Sequence, residues 1–410
     1  MNDRVSRRRI LQYGAASAAA LGFAGRLYAA PASGPRFLLV FLRGGYDAAN
    51  MLIPYSSDFY YESRPHIAVS RPGAQGGPVT QSSEEALALD ADWALAPSLR
   101  ATIGPLYRRR EAAFIPFTGT GDLSRSHFET QDSIELGQPL GASRDYRSGF
   151  MARLAATVNG AGGDGRAIAF TDALPLALAG PTPVPNLSLK GGGPRPFDER
   201  EARILAGMYA ARGLEPVVAS GLELQQQMAR TMADEMRRAS RNAVAPRGFE
   251  LQAERMGQLM GDSYRIGFVD IGGWDTHVDE GATSGALAAN LSSLGHGIGT
   301  FAESLGPEWG NTVVVVLSEF GRTFRENGDR GTDHGHGTVY WVLGGAVHGG
   351  RIAGEQVRVA RETLFQDRDY PVLNDYRAVL GGLFARLWGL RSDQCRRVFP
   401  QVEPRDLGLV

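Results

Sequence analysis

Arg36-Phe37-Leu38-Leu39-Val40-Phe41-Leu42 is wholly apolar after its opening arginine and ends in Arg43-Gly44-Gly45. It reads as a buried strand breaking into a loop. Similar runs recur at 113–117, 167–170, 266–269, 312–317 and 340–343. None alternates apolar with polar residues, so both faces of each strand are expected to be covered, as in a parallel sheet. Helical stretches are expected between them, at about 96–110, 149–158, 199–243, 282–304 and 375–387. Strands alternating with helices predict an α/β fold, a three-layer sandwich with a mostly parallel central sheet and a helical insert at about 197–245.

Composition narrows the rest. The chain has 410 residues, with Lys+Arg 43 against Asp+Glu 44, a formal charge of −1. No global basic field is available to hold nucleic acid or an anionic membrane. Cys395 is the only cysteine, which excludes an intramolecular disulfide and a cysteine-rich metal cluster. Lys190 is the only lysine, a compositional bias read as unrelated to function.

The N-terminus reads as an address. Ser6-Arg7-Arg8-Arg9-Ile10-Leu11 precedes an apolar stretch at 14–24, too short for the roughly 20 residues of a membrane-spanning helix. Ala30-Pro31-Ala32 supplies a small-x-small cleavage site, placed after Ala32. The segment resembles a twin-arginine signal, with Ile10 where phenylalanine is usual. It implies export of a folded protein by the twin-arginine machinery to the periplasm or beyond, and no stable membrane span after cleavage. Residues 33–410 are then one α/β domain.

Ligands of open α/β sheets bind outside the carboxyl ends of the strands, and the notable polar residues lie there. Asp47 and Asn50 follow the first strand; Thr118 to Asp122 and Ser124-Arg125-Ser126-His127 follow the second. Asp270 and Trp274-Asp275-Thr276-His277 follow strand 266–269, and Ser318-Glu319-Phe320-Gly321-Arg322 ends strand 312–317. Gly331-Thr332-Asp333-His334-Gly335-His336-Gly337 forms a further loop.

Asp333-His334-Gly335-His336 is the most specific signal, since alternating imidazoles beside a carboxylate on a glycine-rich loop suit a divalent ion. Asp275-Thr276-His277 has the same character, although Asp275 or Thr276 could instead N-cap the following helix, and Asp270 competes with Asp275 as the ligand. Asp47 is a ligand or an Asx turn. Glu319 with Arg322 is a ligand with an oxyanion clamp, or a structural ion pair. Ser126 offers a hydroxyl nucleophile; the adjacent His127 points elsewhere and is a poor base for it, so a metal is the more natural activator. His66, His296 and His348 read as structural or surface residues, and Trp274 as packing or a site wall. Phosphate-binding-loop, nucleophile-elbow and His-Glu-x-x-His motifs are absent.

Taken in order, Asp47, Ser126, Asp270 or Asp275 with His277, Glu319, and His334 with His336 resemble the metal-binding pattern of the alkaline-phosphatase-like superfamily. Gly331-Thr-Asp-His334 is similar to the late metal-binding loop of its phosphopentomutase branch. More closely, Phe41-Leu-Arg-Gly-Gly-Tyr-Asp-Ala-Ala-Asn50, Arg125-Ser-His-Phe128, Gly272-Gly-Trp-Asp-Thr-His277, Ser318-Glu-Phe-Gly-Arg-Thr323 and Gly331-Thr-Asp-His-Gly-His-Gly337 resemble the bacterial exported family known as domain of unknown function 1501. One departure stands out: Glu319-Phe320 occupies the place of an Asp-His pair, so one metal position is lost, remodelled or filled by Asp333. The formylglycine precursor motif of type I sulfatases is absent.

The resemblance implies an alkaline-phosphatase-like fold and a metal-dependent hydrolase of small phosphate or related anionic esters. Asp270 or Asp275, His277 and His334 or His336 would hold one divalent ion; Asp47, Glu319 and Asp333 would hold a second. Ser126 would be the nucleophile, with Arg322 or Arg125 gripping the non-bridging oxygens. Zinc suits the histidines, with manganese or calcium as alternatives. The competing expectations are a non-catalytic binding or assembly module that keeps the fold, and a protein with a single structural ion.

Overall fold

The computed structural model describes residues 34–73, 84–188 and 249–410. The signal segment at 1–32, the helix at 199–243 and the insert at about 197–245 lie outside the described residues. Contacts divide the chain into Pro35–Val410 and Met1–Gly34, and of the latter only Gly34 is described.

The opening run forms β1 (Arg36–Leu42), every residue of which is buried. It lies within an eight-stranded sheet with β2 (Ala112–Gly119), β3 (Ala167–Ala169), β4 (Ile266–Ile271), β5 (Thr312–Ser318), β6 (Thr338–Leu343), β7 (Arg351–Ile352) and β8 (Asn374–Asp375). The order is β7-β2-β6-β5-β1-β4-β3, with β8 also paired to β2. Every pairing is parallel except those of β6, which runs antiparallel to β2 and β5.

The longer helices among the described residues are α1 (His127–Leu136), α2 (Phe150–Gly160), α3 (Phe249–Asp262), α4 (Ala286–Leu305), α5 (Tyr376–Trp388) and α6 (Ser392–Val398). They explain the lack of alternation in β1. Phe37, Leu39 and Phe41 enter a core shared with α2, α5 and α6, through residues such as Leu154, Phe384 and Val398. Leu38, Val40 and Leu42 enter a second core, with Met256 of α3 and Leu291 and Ile298 of α4. Since alternate strand residues face opposite sides, both faces must be apolar where helices cover both. The fold is a mixed α/β three-layer arrangement around a mostly parallel sheet.

The register places the site. Leu42 is level with Ile271 of β4 and Ser318 of β5, so Arg43-Gly44, Gly272 and Glu319 leave the sheet at one edge. Because β6 is antiparallel, with Thr338 opposite Thr118, the loop that enters it, 331–337, reaches the edge at which β2 ends. Parallel strands alone could not bring the loop before a strand to that edge.

The helix expected over 96–110 is interrupted. Pro97–Leu99 is a 3₁₀ turn and the α-helix covers only Ile103–Arg108. Pro105 has no N–H, and its ring would clash with the carbonyl four residues earlier in a continuous helix. Helices α1, α3 and α6 were not expected from the sequence. No helix among the described residues is long and apolar enough to cross a membrane.

Candidate metal centre

Three histidines from three segments converge on Asp275. His127 opens α1, His277 lies in the loop after β4, and His334 lies in the loop before β6. His127 Nδ1 is 2.8 Å from Glu319 Oε1, His277 Nδ1 is 3.3 Å from Asp333 Oδ1, and His334 Nδ1 is 3.1 Å from the Arg125 carbonyl oxygen. These partners accept, which favours the proton on Nδ1 and leaves Nε2 of His127 and His334 without a donor, while Nε2 of His277 faces Arg322 Nη1 at 3.3 Å. An acceptor of this kind behind the ring fixes the tautomer of a metal-binding histidine.

The three Nε2 atoms point at one place. His277 Nε2 and His334 Nε2 lie 2.9 and 3.3 Å from Asp275 Oδ1 and 3.2 Å from each other. His127 Nε2 lies 3.4 Å from Asp275 Oδ2 and is buried without a hydrogen-bond partner. Lone pairs held this close repel one another unless a cation stands between them. Ligand atoms of a tetrahedral zinc site, at about 2.0–2.1 Å from the ion, are themselves about 3.3 Å apart. His127, Asp275 and His334 each supply a ligand atom, all within 4.8 Å of one another, and are the one such group among the described residues. Donor chemistry and spacing thus fit one divalent ion.

The surroundings tune each member. The hydrogen bond to Glu319 pushes the His127 ring up from its ordinary value, despite burial. Burial pushes His334 down, and the neighbouring His127 and Arg322 add to that. Burial works to raise Asp275, but the Arg322 guanidinium outweighs it and holds the carboxyl down. Glu319 is fully buried, yet its carboxyl is lowered, because bonds from His127, Gln131 Nε2 (2.8 Å) and the Gly44 N–H (2.9 Å) overcome the cost of burial. Gly44 has φ +127°, and a Cβ there would stand 2.7 Å from the Asp275 nitrogen. Only glycine admits this approach.

The expected second metal position is not assembled. Asp47 is fully buried and gives both oxygens to Arg64. All of Glu319 Oε1 is taken up by His127, Gln131 and Gly44, while Ser318 Oγ sits 2.9 Å from Oε2. Asp333 orients His277 and accepts from Asn327 Nδ2 at 3.2 Å. The choice between Asp270 and Asp275 falls to Asp275 on position, since Asp270 pairs with Arg43 at 2.8 Å. His334 joins the cluster and His336 does not. His336 is buried against the Phe365 ring, 5.0 Å between centroids, and burial pushes it down to about 4.

Neither arginine is placed as an anion clamp. The Arg322 side chain is fully buried and donates to the carbonyls of Gly44, Gly45, Trp274 and Thr332, to Asp275 and to His277 Nε2. It pins three loops together and keeps no N–H for a ligand. Arg125 donates to Asp369 Oδ2 (3.1 and 2.7 Å) and to Gln366 (2.8 Å). Ser126 is the N-cap of α1, and its hydroxyl makes no hydrogen bond among the described residues. Trp274 is buried, edge-on to Tyr46. Sequence reasoning set His127 aside as a poor base for Ser126 and assigned it no role at the metal. Its signal was its place after the Ser124-Arg125-Ser126 turn, which faces the same edge as the other loops.

A family model described as "Protein of unknown function (DUF1501)" matches residues 35–399. No curated protein matches the chain. Among solved structures, a protein in the alkaline phosphatase superfamily from Vibrio parahaemolyticus is 11% identical, covering 92% of this chain and 70% of that one, with a TM-score of 0.40. Ps i-CgsB in complex with k-i-k-neocarrahexaose is 9% identical over 91% of this chain and 75% of that one, with a TM-score of 0.37. A TAB5 alkaline phosphatase mutant with Mg bound in its M3 site is 13% identical over 76% and 91%, with a TM-score of 0.29. Scores this low leave function to be read from the side chains.

Proposed function

The chain belongs to the DUF1501 family of proteins of unknown function, and on that premise we propose that it is an exported, metal-dependent hydrolase of small phosphate or related anionic esters. The observation that carries the metal is the convergence of His127 and His334 on Asp275, with the His127 Nε2 orphaned and His277 Nε2 adjoining at 2.9 Å from Asp275. Three nitrogens and a carboxylate suit zinc, and manganese less well; calcium, which takes oxygen ligands, fits poorly. When bound, such an ion supplies Lewis-acid polarisation of a phosphoryl oxygen and lowers the pKa of an oxygen nucleophile.

The chain's own groups do the rest. His127, His277, His334 and Asp275 would hold the ion, and Glu319, Asp333 and the Arg125 carbonyl would keep the rings in the ligating tautomer. Ser126, one residue before His127 and unpartnered through its hydroxyl, is the nucleophile: its hydroxyl gives its proton to water as its oxygen bonds phosphorus, the bond from phosphorus to the ester oxygen breaks, that oxygen takes a proton from water, and a second water later cleaves the seryl phosphate to free phosphate and restore the hydroxyl. The first N–H groups of α1, which no side chain caps, favour negative charge beside it. The twin-arginine signal at 1–32 would deliver the folded protein to the periplasm or beyond.

The commitment of Arg322 and Arg125 to internal partners favours a second reading. In it the chain is a non-catalytic exported module whose ion is structural.

Elemental analysis of protein purified without chelators, followed by a phosphate-ester screen on wild type and Ser126→Ala, tests both. The hydrolase reading expects about one equivalent of zinc per chain, turnover by wild type, and none by Ser126→Ala with its metal retained. Metal without turnover leaves the structural-ion reading; no metal even after reloading ends both.

A further inference from the structure

Beside the centre lies a cavity of about 640 Å³, whose wall includes Phe59, Ser63, Asn327 and three arginines. It is joined to the metal cluster through Asn327, whose Nδ2 donates to the His277 carbonyl at 2.9 Å and to Asp333 Oδ1 at 3.2 Å. One residue therefore lines the cavity and steadies a ligand loop.

The charges in the wall are unequal in their commitments. Arg325 is neutralised by Asp367 at 2.8 Å. Glu326 accepts from the N–H groups of His66 (3.0 Å) and Ile67 (3.2 Å) and from the His66 ring. Arg330 makes no ion pair or side-chain hydrogen bond among the described residues, and Arg361 approaches only Asp367, at 3.9 Å, with its side chain 69% exposed. Against these two stand Glu62 and Glu326, so the wall is near charge balance, but both guanidinium groups keep N–H donors free for an oxyanion. The Ser63 hydroxyl, buried in the same wall, has no hydrogen-bond partner.

Arg330 is also held against its backbone preference. Its φ is +54°, in the left-handed region, which a long L side chain seldom adopts. The loop is fixed there because the Glu280 N–H donates to the Arg330 carbonyl at 3.0 Å and the Asp279 N–H to the Asp329 carbonyl at 2.9 Å. Glycine would sit there more easily, so the guanidinium is kept where it weakens the turn. Strain of this kind collects at binding sites.

We infer that this cavity is a subsite for a second oxyanion group of the substrate, held by Arg330 and Arg361 while the first group is at the metal. The inference rests on the hydrolase reading for the first group. The subsite would select bis-anionic esters over mono-anionic ones, since guanidinium forks match phosphate, sulfate and carboxylate oxygens.

The test is calorimetric titration of the zinc-loaded full chain with alkanediol bisphosphates of increasing spacer length and with the matching monophosphates. At one spacer length wild type should bind the bisphosphate about tenfold or more tighter than the monophosphate, because the second group binds intramolecularly. Arg330→Gly, which suits the left-handed backbone of the turn, should erase most of that advantage, as should Arg361→Ala. Neither should change monophosphate affinity. Equal affinities at every spacer length, or an advantage that survives in both variants, overturns the subsite. Turnover assayed alongside separates the two readings. An advantage without turnover supports the subsite and sinks the hydrolase; turnover without an advantage does the reverse.

Discussion

Two charged clusters lie close to the carboxyl edge of the sheet, and they differ in what they lack. Around Asp275, three imidazole lone pairs crowd one carboxylate, and one buried nitrogen has no partner. Around Asp47, the Arg64 guanidinium meets both carboxylate oxygens and the carbonyls of Phe324 and Thr323. Glu280 closes that second cluster, accepting from Thr276 Oγ1 at 2.7 Å and Thr332 Oγ1 at 2.9 Å. Burial, and then the charge of Asp47, push the Glu280 carboxyl well up, toward its neutral form. The Asp47 carboxyl is held down by Arg64 against the opposing effect of its burial. The Asp47 cluster also holds an orphan, Glu280 Oε1, but a proton there closes it from within as framework, whereas the cluster around Asp275 leaves the His127 nitrogen for something that arrives later.

The largest expected effect tests the framework side. Arg64→Ala would strand a buried carboxylate and should cost about 3–5 kcal/mol in urea unfolding. A loss below about 1 kcal/mol would show that Asp47 and Arg64 are not the closed pair described.

Next comes the open side. Glu319→Gln keeps the shape but removes the charge that orients His127, and should weaken zinc affinity by about 10–100-fold, read by competition with a chromogenic chelator. Unchanged affinity would remove His127 from the ligand set.

The smallest effect separates the two clusters by pH. The Glu280 pKa is higher folded than unfolded, so its contribution is fully present below its unfolded value of about 4.5 and is lost as pH rises through the raised folded value. Glu280→Gln can keep both threonine bonds and does not titrate. It should match wild type at acid pH and become the more stable of the two as pH rises, with zinc affinity unaltered. A stability difference independent of pH would mean that Glu280 is not the proton-holding member.

Much of this was legible in the sequence, for uneven reasons. The strands stood out because β1, β4 and β5 are covered by helices on both sides, which forces continuous apolar runs. Helix α1 did not, because its buried face includes Thr130, Ser133 and Glu135 and so carries no apolar period. With α1 unseen, nothing fixed the direction of His127. The reversal of β6 was hidden too, since composition does not encode strand direction. Glycine-spaced histidines pointed to the 331–337 loop but could not choose between His334 and His336. That choice is made by the Arg125 carbonyl on one ring and by the Phe365 face on the other.

The reversed strand has a consequence for the order of folding. β6 inserts between β2 and β5, and only then does the loop before it meet the Arg125 carbonyl, 209 residues away along the chain. Closing so long a loop is entropically costly, and the centre cannot be complete before β6 has docked. A chain that has paired β1, β3, β4 and β5 but not docked β6 has part of its sheet, yet cannot capture the ion. Metal uptake therefore reports that the reversed strand is in place.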